Sequence, residues 1–83
     1  MNATELRGQI VKMIGDIAPE ADLSALDPAA DLREALDIDS MDFLNLVIAV
    51  HAALGVDIPE RDYPQVMSLD AMVSYVLARL PPA

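Results

Sequence analysis

The first segment of the chain carries an apolar stripe with the spacing of an α-helix. Counted from its first member, the stripe has offsets of 0, 4, 7, 8 and 11 residues: Leu6, Ile10, Met13, Ile14 and Ile17. These offsets place the side chains on one face of a helix. Asn2 or Thr4 is positioned to cap this helix and Pro19 to end it. The pattern therefore predicts a first helix that buries one face.

The last segment repeats this pattern. Its apolar positions have offsets of 0, 3, 4, 7, 8 and 11 residues: Leu69, Met72, Val73, Val76, Leu77 and Leu80. Ser68 is the expected N-cap, and Asp70 suits the positive end of the helix dipole. Pro81 and Pro82 should stop the helix, because proline cannot continue one.

A middle helix is predicted from Ser40 to about Leu54, with Gly55 as its C-terminal cap. It has almost no polar face, since most of its residues are apolar: Met41, Phe43, Leu44, Leu46, Val47, Ile48, Ala49 and Val50. A helix that is apolar all round is either central or has something apolar to bind besides its own core.

The connections complete the predicted fold. Residues 18–39 form one long connection that we expect to be ordered, with one helical turn around Leu32–Leu36. Pro59 can open a short turn near Glu60–Tyr63, which Pro64 should limit. No segment alternates like a strand, so we predict one domain over residues 1–83, an all-α bundle of three to four helices. Its core should include facing residues of all three main helices: Ile14, Leu46, Val47, Leu54, Val73 and Leu77.

Composition narrows the possible functions. The 83 residues contain no cysteine, one histidine (His51) and a net charge of −9. Residues 13–60 hold eleven acids and a single base, Arg33, a net −10. This charge argues against nucleic acid and favours a basic protein partner. No apolar run is long enough to span a membrane and no signal peptide is evident, so we expect a cytoplasmic protein without membrane association. We also expect the protein to be a monomer.

Ser40 is the one candidate site, since it lies at a helix start beside Asp37, Asp39 and Asp42. It could be a plain N-cap. Catalysis by Ser40 is disfavoured, because its neighbours are acids and His51 lies three turns away, roughly 16 Å along the helix. A calcium loop starting at Asp37 fails at three critical positions, so we expect no metal site. The third alternative makes Ser40 the substrate of an enzyme with a basic docking surface.

Four groups of residues carry a resemblance to a known family. They are Asp31-Leu32-Arg33-Glu34-Ala35-Leu36, Asp39-Ser40-Met41-Asp42, the apolar positions Leu44, Leu46, Val47 and Leu54 with Gly55, and Asp57-Ile58-Pro59. In this order and spacing they resemble the phosphopantetheine-dependent acyl carrier proteins. The family's D-S-L at the modified serine reads Asp39-Ser40-Met41 here, and its I-P pair reads Ile58-Pro59.

The resemblance implies that Ser40 carries 4′-phosphopantetheine, transferred from coenzyme A by a Mg²⁺-dependent phosphopantetheinyl transferase. The arm would hold an acyl or aminoacyl group as a thioester, so the protein would be a carrier and not an enzyme. Asp39 would help position the transferase and its metal, and Met41 would contact partners. Further partners would be a ligase or transferase that loads the group and downstream synthase enzymes.

Two features of the sequence depart from the family pattern. Asp37 stands where glycine is usual, so it must adopt an ordinary or a left-handed conformation. The middle helix lacks the glutamates of fatty-acid carriers and has Asn45, His51, Ala52 and Ala53 instead. We therefore expect a freestanding carrier for a specialised pathway, with a partner surface at the start and outer face of this helix: Met41, Asp42, Asn45, Ile48 and Ala52. A housekeeping fatty-acid carrier and an unmodified interaction module are the alternatives, and the carried group stays open.

Overall fold

The computed structural model describes residues 1–80, which form four α-helices and two 3₁₀ segments without a strand. The α-helices are α1 (Ala3–Ile17), α2 (Leu32–Leu36), α3 (Ser40–Leu54) and α4 (Leu69–Arg79). The 3₁₀ segments are Leu23–Ala25 and Glu60–Val66. This confirms the all-α bundle with a long ordered connection. The predicted stop at Pro81 and Pro82 lies outside the described residues.

The caps of the main helices follow from local side chains. Asn2 caps α1 by accepting the backbone N–H of Glu5 at 2.8 Å, so Asn2 and not Thr4 starts this helix. Ser68 caps α4, as predicted, and accepts the N–H of Ala71 at 3.1 Å. Each cap satisfies a backbone donor that has no partner inside the helix.

The core lies where α1, α3 and α4 pack together. Four of the predicted core residues are buried there: Ile14, Leu46, Val47 and Val73. Leu54 is half-buried against them. Leu77 is 37% exposed, so its prediction as a core residue is wrong. Tyr75 is buried at the other edge of α4, because that edge packs against the second 3₁₀ segment. Its hydroxyl donates a hydrogen bond to Asp62 Oδ2 there, at 2.5 Å.

The connection between α1 and α3 is fixed at several points. The Asp22 carboxylate accepts the N–H of Ser24 at 3.1 Å and caps the first 3₁₀ segment, which was not predicted from the sequence. Further along, the N–H of Leu32 donates to the carbonyl of Met67 at 2.7 Å. The N–H of Asp70 donates to the carbonyl of Pro28 at 3.0 Å. These bonds tie the connection and α2 to the second 3₁₀ segment and α4.

The second 3₁₀ segment is longer than expected. It starts after Pro59, as predicted, but it continues through Pro64 to Val66. The missing N–H of a proline removes only one bond from a 3₁₀ segment. The rest of the segment is held by buried Val66 and by Tyr63, whose ring packs edge-on against Phe43 at 5.6 Å between centroids. The prediction that Pro64 limits this turn is therefore wrong.

Candidate functional site

A tight turn between α2 and α3 sets the entry into the candidate site. Asp37 ends α2 in the left-handed conformation, with φ 53°, and donates its N–H to the carbonyl of Arg33. The N–H of Ile38 donates to the same carbonyl at 3.1 Å. Aspartate tolerates this conformation better than most residues. Of the two conformations expected for Asp37, it adopts the left-handed one, at a position where glycine is usual.

Asp39, and not Ser40, is the N-cap of α3. Its Oδ1 accepts the N–H of Asp42 at 2.9 Å, and its backbone is extended, with φ −92° and ψ −178°. Ser40 is the first residue inside the helix and is exposed. Its hydroxyl has no hydrogen-bond partner within residues 1–80. The interpretation of Ser40 as a plain cap is thus wrong, and the serine side chain is left available.

Ser40 opens onto a cleft of about 380 Å³. The cleft is lined by residues of α2, α3 and the second 3₁₀ segment, together with the residue that follows it: Arg33, Ser40, Phe43, Glu60, Tyr63, Pro64 and Met67. The aromatic pair of Phe43 and Tyr63 forms part of its wall, and the charged residues Arg33 and Glu60 are exposed. An exposed hydroxyl beside a partly apolar cleft is suited to carrying a flexible group that can lie in the cleft.

Three residues of the cleft were not predicted from the sequence: Arg33, Glu60 and Tyr63. These residues come from separate elements, and the hydrogen bond between Leu32 and Met67 brings those elements together. Arg33 is the single base among the eleven acids of residues 13–60, and this isolation was the sequence signal that could have singled it out.

The expected partner surface occupies one exposed face of α3. Met41, Asn45, Ile48 and Ala52 follow each other at helical spacing and are all exposed, with Met41 63% and Ile48 54% exposed. Asp42 is half-buried beside the Asp39 cap. Met41, Asn45, Ile48 and Ala52 thus form a continuous stripe, called the α3 stripe below. The carboxylates of Asp39 and Asp42 lie at its beginning, and the stripe residues further along the helix are uncharged.

Other candidate chemistry is not assembled in the described residues. His51 is exposed on α3, three turns beyond Ser40, and does not line the cleft. Residues 1–80 contain no group of three or more histidine, cysteine or acidic side chains arranged to hold a metal ion. In the same part of the chain, no helix combines the length and apolar character needed to cross a bilayer.

Comparisons with known proteins point to one family. A family model described as "Phosphopantetheine attachment site" matches residues 8–76. An acyl carrier protein of Rubrobacter xylanophilus is 30% identical over 74 residues, which cover 86% of this chain and 91% of that protein.

Two further relatives are longer than this chain. The mitochondrial acyl carrier protein of Neurospora crassa is 25% identical over 90% of this chain and 56% of its own length. The acyl carrier protein AcpXL of Mesorhizobium japonicum is 32% identical over 69% of this chain and 60% of its own length. Together, the α2–α3 turn, the available serine and these similarities show that the chain belongs to the acyl carrier protein family, whose prosthetic group is 4′-phosphopantetheine.

Proposed function

We propose that Ser40 carries the 4′-phosphopantetheine arm and that the protein holds an acyl or aminoacyl group on it as a thioester. The observation that carries this proposal is the state of the Ser40 side chain, which is exposed at the start of α3 and has no hydrogen-bond partner within residues 1–80. The adjoining cleft offers apolar surface to an attached arm. The residues present therefore fit the prosthetic group.

The attachment reaction is a phosphoryl-type transfer at Ser40. The serine Oγ forms a bond to the phosphorus of coenzyme A nearest the pantetheine, and the bond from that phosphorus to 3′,5′-ADP breaks. A base of the transferase takes the hydroxyl proton. The terminal thiol of the arm supplies the thioester chemistry that a chain without cysteine lacks.

Asp39 has two roles in this proposal. Its Oδ1 caps α3, while its other oxygen has no hydrogen-bond partner among residues 1–80. That free oxygen is available to the Mg²⁺ of the transferase, because carboxylate oxygens are preferred ligands of Mg²⁺. The cap would hold the carboxylate beside the hydroxyl that is modified.

The proposal is tested by serine replacement. Incubation with coenzyme A, Mg²⁺ and a broad-specificity transferase should add one phosphopantetheinyl group to the protein, as measured by intact mass. Ser40→Ala should abolish the addition. The matched control is Ser74→Ala, at an exposed serine on α4, which should be modified like the natural protein. Full modification of Ser40→Ala would overturn the assignment.

The α3 stripe supports a specialised pathway with a dedicated partner. Large apolar side chains are exposed at Met41 and Ile48, and the other residues of this face that follow Asp42, which are Asn45 and Ala52, are uncharged. Asp39 and Asp42 can steer a basic partner to the helix start, while buried apolar anchors would supply most of the docked affinity. A synthase enzyme that reads glutamates along this helix would find few partners for its basic residues.

A charge-addition series tests the dedicated partner. The modified natural protein should be a poor substrate for a standard ketoacyl synthase, and Asn45→Glu with His51→Glu and Ala52→Glu should raise its elongation rate. Ser74→Glu adds a charge away from the stripe and should not raise it. If the natural protein already matches a glutamate-rich carrier in rate, the housekeeping role is favoured and the dedicated partner is wrong.

A further inference from the structure

Arg33 is the base that lies at the proposed attachment site. It is exposed on α2 and lines the cleft together with Ser40. Its guanidinium forms no ion pair within residues 1–80, where the ion pair found is between Arg7 and Asp70. No hydrogen bond of the Arg33 side chain occurs in that part of the chain either. This cation therefore faces the cleft without an assigned partner.

The backbone around Arg33 is held firmly. Its N–H donates to Asp31 Oδ1 at 2.9 Å, and its carbonyl accepts the N–H groups of Asp37 and Ile38. The preceding residue, Leu32, is completely buried and donates its N–H to Met67. The base of the arginine side chain is thus fixed relative to the wall of the cleft, while its charged end remains exposed.

Modification adds a negative charge where the protein is already acidic. The phosphodiester of a phosphopantetheine arm is bonded directly to the serine oxygen and carries one negative charge. Asp39 and Asp42 flank Ser40, and Arg33 is the single base among residues 13–60. Like charges at short range repel, whereas a guanidinium forms strong, often bidentate hydrogen bonds with phosphate oxygens.

We propose that Arg33 holds the phosphate of the arm at the mouth of the Ser40 cleft and directs the arm along Phe43, Tyr63 and Met67. This proposal rests on the attachment at Ser40 proposed above. Arg33 is a positioning residue here, since it acts on the resting place of the arm and not on the bonds that the arm makes. Glu60, on the second 3₁₀ segment, is the competing anion for Arg33, because it lines the same cleft.

The test compares the unmodified and modified forms of four proteins, with the arm thiol free and no cargo attached. They are the natural protein, Arg33→Gln, Arg33→Lys and the matched control Arg61→Ala, which removes an exposed arginine that does not line the cleft. Amide NMR spectra record the shifts that modification causes at Phe43, Tyr63 and Met67. The ³¹P linewidth reports how freely the phosphate moves.

In the natural protein and in Arg61→Ala, modification should shift the cleft amides. In Arg33→Gln these shifts should fall to about half or less, and the ³¹P line should narrow. Arg33→Lys should give intermediate values, because lysine keeps the positive charge but lacks the planar, bidentate guanidinium. Unchanged cleft shifts and linewidth in Arg33→Gln would overturn the proposal. Intact mass separates the two proposals: absence of modification in the natural protein would instead overturn attachment at Ser40.

Discussion

The two roles of Asp39 can be separated by replacing it with alanine or with asparagine. Alanine removes the acceptor for the Asp42 N–H, and loss of an N-cap costs about 0.5–2 kcal/mol. It also removes a charge at the positive end of the helix dipole, worth about 0.3–1 kcal/mol. Asparagine caps a helix about as well as aspartate does. The Asn variant loses the favourable interaction of the Asp39 charge with the helix dipole, but it also loses the repulsion of that charge by Asp37 and Asp42, and the two effects oppose each other.

We therefore expect Asp39→Ala to lower the free energy of unfolding by roughly 1–2 kcal/mol. For a domain of this size, that corresponds to a fall in Tm of about 4–16 °C. Asp39→Asn should stay within about 1 kcal/mol of the natural protein. Both variants should be modified by the transferase more slowly, by about tenfold or more, because neither supplies the carboxylate oxygen to Mg²⁺.

The assays are urea denaturation and the initial rate of modification by intact mass. Ser68→Ala is the control, since it removes the cap of α4 and should destabilise the protein without slowing modification. Modification of Asp39→Asn at the natural rate would refute the metal role and leave Asp39 as a cap only. An unchanged stability of Asp39→Ala would refute the capping argument.

Three further predictions concern stability. Leu46 is 1% exposed, so Leu46→Ala should lower the free energy of unfolding by about 2–5 kcal/mol. Leu77 is at the surface, so Leu77→Ala should lower it by less than about 1 kcal/mol. Equal urea midpoints for the two variants would show that the burial pattern is wrong. The hydrogen bond to Asp62 raises the pKa of Tyr75 above its usual 10.0. The stabilisation of the folded protein by this hydrogen bond should therefore be present below pH 10 and be lost as the pH rises through the raised pKa. Urea denaturation across this range should show that loss, and Tyr75→Phe should abolish it. Moderate salt should raise the Tm by screening the net charge of −9, and a flat or falling Tm would contradict this.

The main helices could be predicted from the sequence because their signals are local. The extent of α3, from Ser40 to Leu54, follows from its apolar run and from Gly55, which adopts φ 72° at its end. The start of α3 was harder to assign, since Asp39 and Ser40 are adjacent and both are good caps. The left-handed turn at Asp37 fixes how the chain enters the helix, and the cap then falls to Asp39.

The errors arose where distant contacts decide the outcome. The periodicity of α4 allowed either edge of its apolar face to be buried. The packing of α4 against the second 3₁₀ segment buries the Tyr75 edge, where Tyr75 also bonds to Asp62, and leaves Leu77 at the surface. The cleft could not be predicted for the same reason, because the path of the long connection decides that Arg33 and the second 3₁₀ segment line the same cleft.

The location of the modification within the chain tests attachment of the arm at Ser40 most directly. The protein is incubated with coenzyme A, Mg²⁺ and a broad-specificity transferase, digested, and analysed by tandem mass spectrometry. One phosphopantetheinyl group should be found on the peptide that contains Ser40, attached to that serine. The same group on Ser24, Ser68 or Ser74, or no addition at all, would contradict this attachment.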